Sequence, residues 1–433
     1  MMTESFKIKL PGLFKISWIT FVTIFFTVFV FLSEWIQKTG IINFPLGVRH
    51  FSIVLAFFLH WIIFGLRWRL RQFYVFSLIL LVFYLFLAYI FVPVSPINYL
   101  LGTGFTFLFV LLFVFGSNTR TEISVIIKIF QSLLIFFLIM SIGPMFNGLT
   151  AGTTLRRIPG LFRELGAFGT SMNIGVILSL SLYIITGKKR YIYFAVFLSF
   201  GVFLTILKKT IFSNLVVWGG FALYQASARM RRKMFLYGIF FIIISFSLVG
   251  DEFSHDVKIN VDYYKRTVPS THVRMGMYVG GFKIASDYFP FGSGMGTYGS
   301  LASIIGGYSN VHIVYGVSKI GNNAPEDVAK GKHTLLDTFW PHIIGELGYL
   351  GTLIYLLIWF FPMISTFFIL QKCNIKELRG LGFYVMLMIL TMTNEGFTLY
   401  TPEIPSFVLL HSGVTGLCYY HINNYRKSLR QSE

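Results

Sequence analysis

The chain has 433 residues, of which 55% are hydrophobic, 18% aromatic and 12% charged, with a formal net charge of +19. Together with a mean hydropathy of +0.72, these fractions exclude an ordinary water-soluble domain. They also exclude nucleic acid as the meaning of the basic excess, because no soluble basic domain exists to carry it.

Apolar runs long enough to cross a bilayer as helices, about 17–25 residues each, recur along the whole chain. They predict about twelve spans, near 16–33, 50–66, 73–93, 97–116, 124–143, 168–186, 191–207, 210–226, 234–250, 343–370, 380–397 and 403–421. The expected fold class is all-α, a polytopic integral membrane protein whose residues 1–433 form a single transmembrane domain. The first run follows Lys7, Lys9 and Lys15. It is too long for a signal peptide, and SEWIQK follows it instead of a small-residue cleavage site.

Orientation follows from the basic residues, because cytoplasmic connectors retain Lys and Arg. With the N-terminus inside, alternate connectors hold 21 of the 36 basic residues and every dense cluster, whereas 13 of the 17 acidic residues fall outside. Both termini are therefore expected in the cytoplasm, and the positive charge reports topology and contact with anionic lipid heads. Residues 251–339 then form a large outer loop, too long for a mere connector. Cys373 and Cys418 suggest neither a disulfide framework nor a metal site.

Four stretches on the outer side carry candidate chemistry. The first is RRIPGLFRELGAFG, residues 156–169, with Arg156, Arg157, Arg163 and Glu164. A charge at mid-depth costs about 2.5–3.5 kcal/mol on insertion scales unless paired or solvated. Two readings stand. The charges sit among headgroups, with Arg163 and Glu164 neutralising each other. Alternatively they line a cationic pocket for phosphate or diphosphate, which guanidinium groups bind bidentately. The second stretch is ILKKTIFSN, where Lys208, Lys209 and Thr210 fill a short outer turn, either snorkelling or completing an anion site.

In the third, residues 271–300, Arg274 opens an amphipathic stretch whose apolar face at helical spacing is Met277, Tyr278, Phe282, Ile284 and Ala285. On a helix lying along the membrane surface, Arg274 is a candidate ligand for a lipid phosphate. Gly292, Gly294 and Gly296 resemble a phosphate loop only superficially, without its strand–turn–helix context; a hinge or tight turn fits them better. In the fourth, residues 332–351, Asp337 or Thr338 is expected to cap a helix with Pro341 in its first turn. His342 and Glu346 fall one turn apart on one face, where capping and pairing are the simpler roles. Asp337 and His333 are candidate general bases. No Asp-x-Asp pair, zinc-spaced His/Cys cluster or Gly-x-Ser-x-Gly elbow occurs, so neither metal nor cofactor is expected.

In order and sidedness these stretches resemble the O-antigen polymerase (Wzy-type) family, within the O-antigen polymerase/ligase superfamily. Residues 157–169 resemble its Arg-x-x-Gly-Leu-Phe-x-Glu-Pro-Gly element, with Arg157, Gly160 and Glu164 matching and Leu165 in place of proline. Lys209-Thr210 resembles a Ser-Lys/Arg-Thr element, with Lys208 replacing serine. Arg274 and the Pro290–Gly296 run resemble the loop's arginine-to-glycine element. Asp337, with Glu346-Leu347-Gly348 and Gly351 after it, matches the segment leading into the next helix. Ligases carry histidine at the Asp337 position, so aspartate tilts the resemblance toward polymerase.

The resemblance implies a metal-independent glycosyltransferase at the outer face of the bacterial cytoplasmic (inner) membrane. Donor and acceptor would be undecaprenyl-diphosphate-linked oligosaccharides, with membrane lipids around it, a chain-length regulator protein as candidate partner and no nucleic acid. Arg156, Arg157, Arg163, Lys208, Lys209 and Arg274 would hold diphosphate. Asp337, Arg274 and Glu164 are the catalytic candidates, and His333, His342 and Glu346 are secondary ones. The alternatives are an O-antigen ligase acting on lipid A core and a lipid-linked oligosaccharide flippase or other transporter.

Overall fold

The computed structural model describes residues 71–150, 165–205, 207–226, 273–305, 307–330, 334–336, 338–397 and 404–432, plus isolated positions before residue 56. Near the N-terminus, β1 (Lys7–Lys9) and β2 (Lys15–Ser17) pair antiparallel, Lys7 opposite Ser17. Strand β2 thus takes the start of the first expected span.

The remaining elements are helical. In order they are α1 (Gln72–Phe91), α2 (Pro96–Asn118), α3 (Ile123–Thr150), α4 (Leu165–Thr186), α5 (Arg190–Leu204), α6 (Lys208–Gln225) and α7 (Val273–Asp287). Then come the short α8 (Ala302–Ile305), α9 (Asn310–Val314) and α10 (Pro325–Ala329), the long α11 (Trp340–Leu370) and α12 (Lys376–Gly396). The chain closes with α13 (Pro405–Val408), a π-helical turn (Leu409–Val414) and α14 (Thr415–Ser432). Among the described residues four helices (α1, α3, α4 and α11) are long and apolar enough to cross a membrane; α2, bent by 45° between Thr106 and Leu108, makes five if counted as one span. The run expected at 234–250 lies outside the described residues.

Helix α1 shows how pattern becomes architecture. Phe76, Ile79, Phe83, Phe86 and Ile90 recur at helical spacing and are exposed, while Tyr74, Leu81, Tyr84 and Ala88 on the other side are buried. An apolar face left outside and a packed face inside is the signature of a helix solvated by lipid chains. Helix α4 is the opposite case, enclosed by α3, α5, α6 and α12.

The expected outer loop is folded where described. Helix α7 buries Met277, Ile284 and Ala285 and half-buries Tyr278, as its spacing predicts, but Phe282 is exposed. Met277, Ile284, Tyr298, Tyr315, Val317, Val328 and Leu335 form a small core of their own, and α7 packs along α11.

The join to α11 is covalently simple and geometrically specific. Gly348 sits inside α11 at φ 64°, ψ −176°, a backbone state open essentially to glycine, and the helix bends there. The bend takes the Gly345 and Glu346 carbonyls out of the helical ladder. The Ser293 and Gly294 amides donate to them at 2.9 and 3.1 Å, and the Tyr84 hydroxyl bonds the Leu347 and Pro290 carbonyls. Buried carbonyls need such partners. Gly292, Gly294 and Gly296 all have positive φ, so the glycine run is a tight turn wrapped on the bend.

Candidate functional site

The candidate stretches that the structure describes converge on one end of the bundle. Helices α4, α6, α7 and α11 all begin there, and α12 ends there. Lys208 and Lys209 form the first turn of α6 instead of a connecting turn. Lys208 is exposed and Lys209 half-buried, at the end of an 18-residue helix whose dipole favours anions.

A polar network fixes that turn. Thr205 and Thr210 share a hydroxyl–hydroxyl bond of 3.1 Å, and Thr210 Oγ1 donates to the Leu207 carbonyl. From α4, Asn173 Nδ2 donates to the Thr210 carbonyl at 2.9 Å and its Oδ1 accepts from Asn214 Nδ2 at 3.0 Å. From α12, Asn394 Nδ2 donates to Ser213 Oγ at 2.6 Å and to the Lys209 carbonyl at 3.3 Å. Ser213 Oγ in turn donates to Glu395 Oε1 at 2.9 Å. Glu395 is fully buried, and the cation acting on it is Lys209.

Arg274 joins the same end through α7. It is exposed and its charge acts on Tyr278, one helical turn on, whose phenol burial pushes up in pKa while Arg274 partly offsets the rise. The Tyr278 hydroxyl donates to the Phe397 carbonyl at 3.1 Å, two residues past Glu395. The Phe397 amide donates to the Asn394 carbonyl, and Asn394 reaches Lys209. Cations from two sequence stretches therefore border one polar end.

The other expectations divide. Arg156, Arg157, Arg163, Glu164, His333 and Asp337 lie outside the described residues. His342 and Glu346 are buried in the first turns of α11, but they do not form the expected pair. Glu346 Oε1 accepts from the Tyr298 amide at 2.9 Å and Ser300 Oγ at 2.6 Å, because the glycine turn presents its donors there. The His342 ring packs on Phe339 with centroids 5.0 Å apart. Nor does Thr338 cap α11: Phe339 holds the cap position without a side-chain bond, and Pro341 lies in the first turn as expected. Among the described residues no three His, Cys, Asp or Glu side chains gather as a metal site.

Sequence reading missed Glu395 and Asn394. An ionisable residue inside the apolar run LMILTMTNEGFTLY was the available signal, since such residues are by default functional candidates. Compared with known proteins, the chain matches no protein-family model and no curated sequence.

Proposed function

We propose that this protein is a polysaccharide repeat-unit polymerase of about twelve spans, with both termini in the cytoplasm. It joins undecaprenyl-diphosphate-linked oligosaccharides at the outer face of a bacterial cytoplasmic membrane. The observation that carries the reading is the gathering of Lys208, Lys209 and Arg274 at one polar end of an apolar bundle. The motif resemblance supports it and adds Arg156, Arg157 and Arg163 to the diphosphate ligands.

The chemistry suits these residues. The acceptor sugar hydroxyl attacks the anomeric carbon of the donor glycan; the new C–O bond forms as the bond to the diphosphate oxygen breaks. The hydroxyl proton passes to a carboxylate, Asp337 or Glu164, and the lipid diphosphate leaves with the electron pair. Diphosphate is already a good leaving group, so cations that hold its growing charge are the main requirement.

The test is incubation of the purified full chain with its lipid-linked repeat unit in the presence of EDTA. A ladder of longer lipid-linked products is expected. Transfer of single units to added lipid A core would instead establish a ligase. Absence of both products, from folded protein that binds the substrate, would sink the enzymatic reading in favour of transport.

A further inference from the structure

Helix α7 divides its surface three ways. Met277, Gly281, Ile284 and Ala285 are buried. Lys283 and Asp287, one helical turn apart, face Tyr315: the Lys283 ammonium lies 5.8 Å from its ring, and Asp287 Oδ2 accepts from its hydroxyl at 2.9 Å. Phe282 and, just past the helix end, Phe289 form the third side, 48% and 64% exposed, with Ser286 between them. Beside them on α11 stands Tyr349. Its ring is exposed, while its hydroxyl donates to the Phe282 carbonyl at 3.1 Å and lies 2.8 Å from Ser286 Oγ. With Leu350 and Leu353, also exposed, these side chains make one apolar patch, which calls for an occupant in a way that scattered apolar residues do not.

The patch continues two lipid-facing surfaces at their edge. On α11, exposed apolar side chains recur at helical spacing from Tyr349 through Leu353, Leu357 and Ile364 to Phe368, about 28 Å of helix. The hydrocarbon core of a bilayer is about 30 Å thick. On α1 they run from Phe73 to Phe91, about 27 Å. The two faces end at one level. The Phe291 ring stacks on Phe91 with centroids 5.6 Å apart, and the Tyr84 hydroxyl, two turns inside that end of α1, bonds the Pro290 carbonyl. The turn that carries Phe289 therefore lies within the edge of the apolar band and not above it.

We propose that this side of α7 is a membrane anchor: Phe282 and Phe289, with Tyr349, insert among the acyl chains just beneath the lipid headgroups, in the leaflet at the polar end of the bundle. A helix with an apolar flank and a charged flank lies in an interface in this way, here with Lys283 and Asp287 turned to water. A phenol whose ring faces outward and whose hydroxyl is held by the protein suits the same depth. The anchor fixes the level of α7, and with it that of Arg274 near the other end of the helix. It requires only that α1 and α11 cross a bilayer, so it holds for a polymerase, a ligase or a transporter alike.

The experiment uses the full chain in liposomes of phosphatidylcholine and phosphatidylglycerol. Phe282→Cys, Phe289→Cys, Lys283→Cys and Glu326→Cys, the last at an exposed position of α10, are spin-labelled one at a time. Wild type, whose Cys373 and Cys418 are both buried, is the labelling blank. Each label is tested for collision with oxygen, which partitions into lipid, and with a nickel chelate, which stays in water. The oxygen-to-nickel ratio is expected to be severalfold higher at positions 282 and 289 than at 283 and 326. Equal ratios at all four positions overturn the anchor. So does a label at position 289 that is shielded from both reagents and broadened by a second label, since the patch is then a contact between two copies of the chain. Should a labelled variant misfold, unmodified wild type is irradiated in liposomes containing phosphatidylcholine with a diazirine in its acyl chain. Adducts on residues 282–289 support the anchor. Adducts on residues 350–368 with none on 282–289 overturn it.

Discussion

Glu346 and Glu395 are both enclosed almost completely, each 1% exposed or less, yet their surroundings differ in kind. Glu346 accepts from a backbone amide and a serine hydroxyl presented by the glycine turn; its neighbours are fixed by main-chain geometry. Glu395 faces Thr170 of α4 and accepts from Ser213 of α6, with the cation Lys209 one turn before that serine; each glutamate keeps one oxygen that makes no hydrogen bond among the described residues. A carboxylate oxygen fixed by a main-chain amide is a fastening. One held among side chains, beside a lysine at an exposed end, can exchange partners. The two glutamates therefore separate what shapes the segment around α7 from what borders the polar end.

The largest effect should come from breaking the fastening. Glu346→Ala strands two buried donors, at about 1–3 kcal/mol each, so about 2–6 kcal/mol of stability is expected to be lost. The measurement is thermal unfolding, with limited proteolysis detecting release of residues 273–336. Unchanged melting would show that the two glutamates are not different after all. Next, Arg274→Ala is exposed and should leave the melt alone while lowering polymerisation by about 100-fold or more, the scale of losing one charge-stabilising contact. Activity surviving that change would remove Arg274 from the site.

A third test uses pH. His312 Nε2 accepts from the Gly299 amide at 3.0 Å, and burial pushes its pKa down from 6.5 to about 3. The unfolded chain takes up a proton below its ordinary value while the folded imidazole does not. Its contribution is thus fully present above about pH 6.5 and falls by about 1.4 kcal/mol per unit until the folded pKa is reached. Cooling of the melting transition between neutral and mildly acidic pH should therefore shrink in His312→Asn; an identical slope would exclude this histidine. The smallest effect is Tyr84→Phe, which removes the hydroxyl from the Leu347 and Pro290 carbonyls and should cost about 1 kcal/mol, read as a small shift in the same melt.

Much of the helical frame was legible from sequence. The runs expected at 73–93 and 343–370 correspond to α1 and α11 within a few residues, because long apolar runs bounded by Arg71, Pro93, Pro341 and Lys372 leave little choice. The 45° bend in α2 and the break at Gly348 were not legible, since both depend on what packs against them. Lys208 and Lys209 were visible as basic residues in a connector expected to hold few, and Arg274 as the head of an amphipathic stretch. The pairing of Glu395 was not, because its partner Ser213 stands 182 residues earlier and no local period announces it.

The bend at Gly348 has a mechanical consequence. Two carbonyls of α11 are bonded to amides of the segment that follows α7, and α7 itself lies along α11. The α7 segment and α11 therefore behave as a bracket bolted to a post. Arg274 rides on that bracket, so it cannot drift from the head of α6 unless the post straightens and its freed carbonyls find new donors.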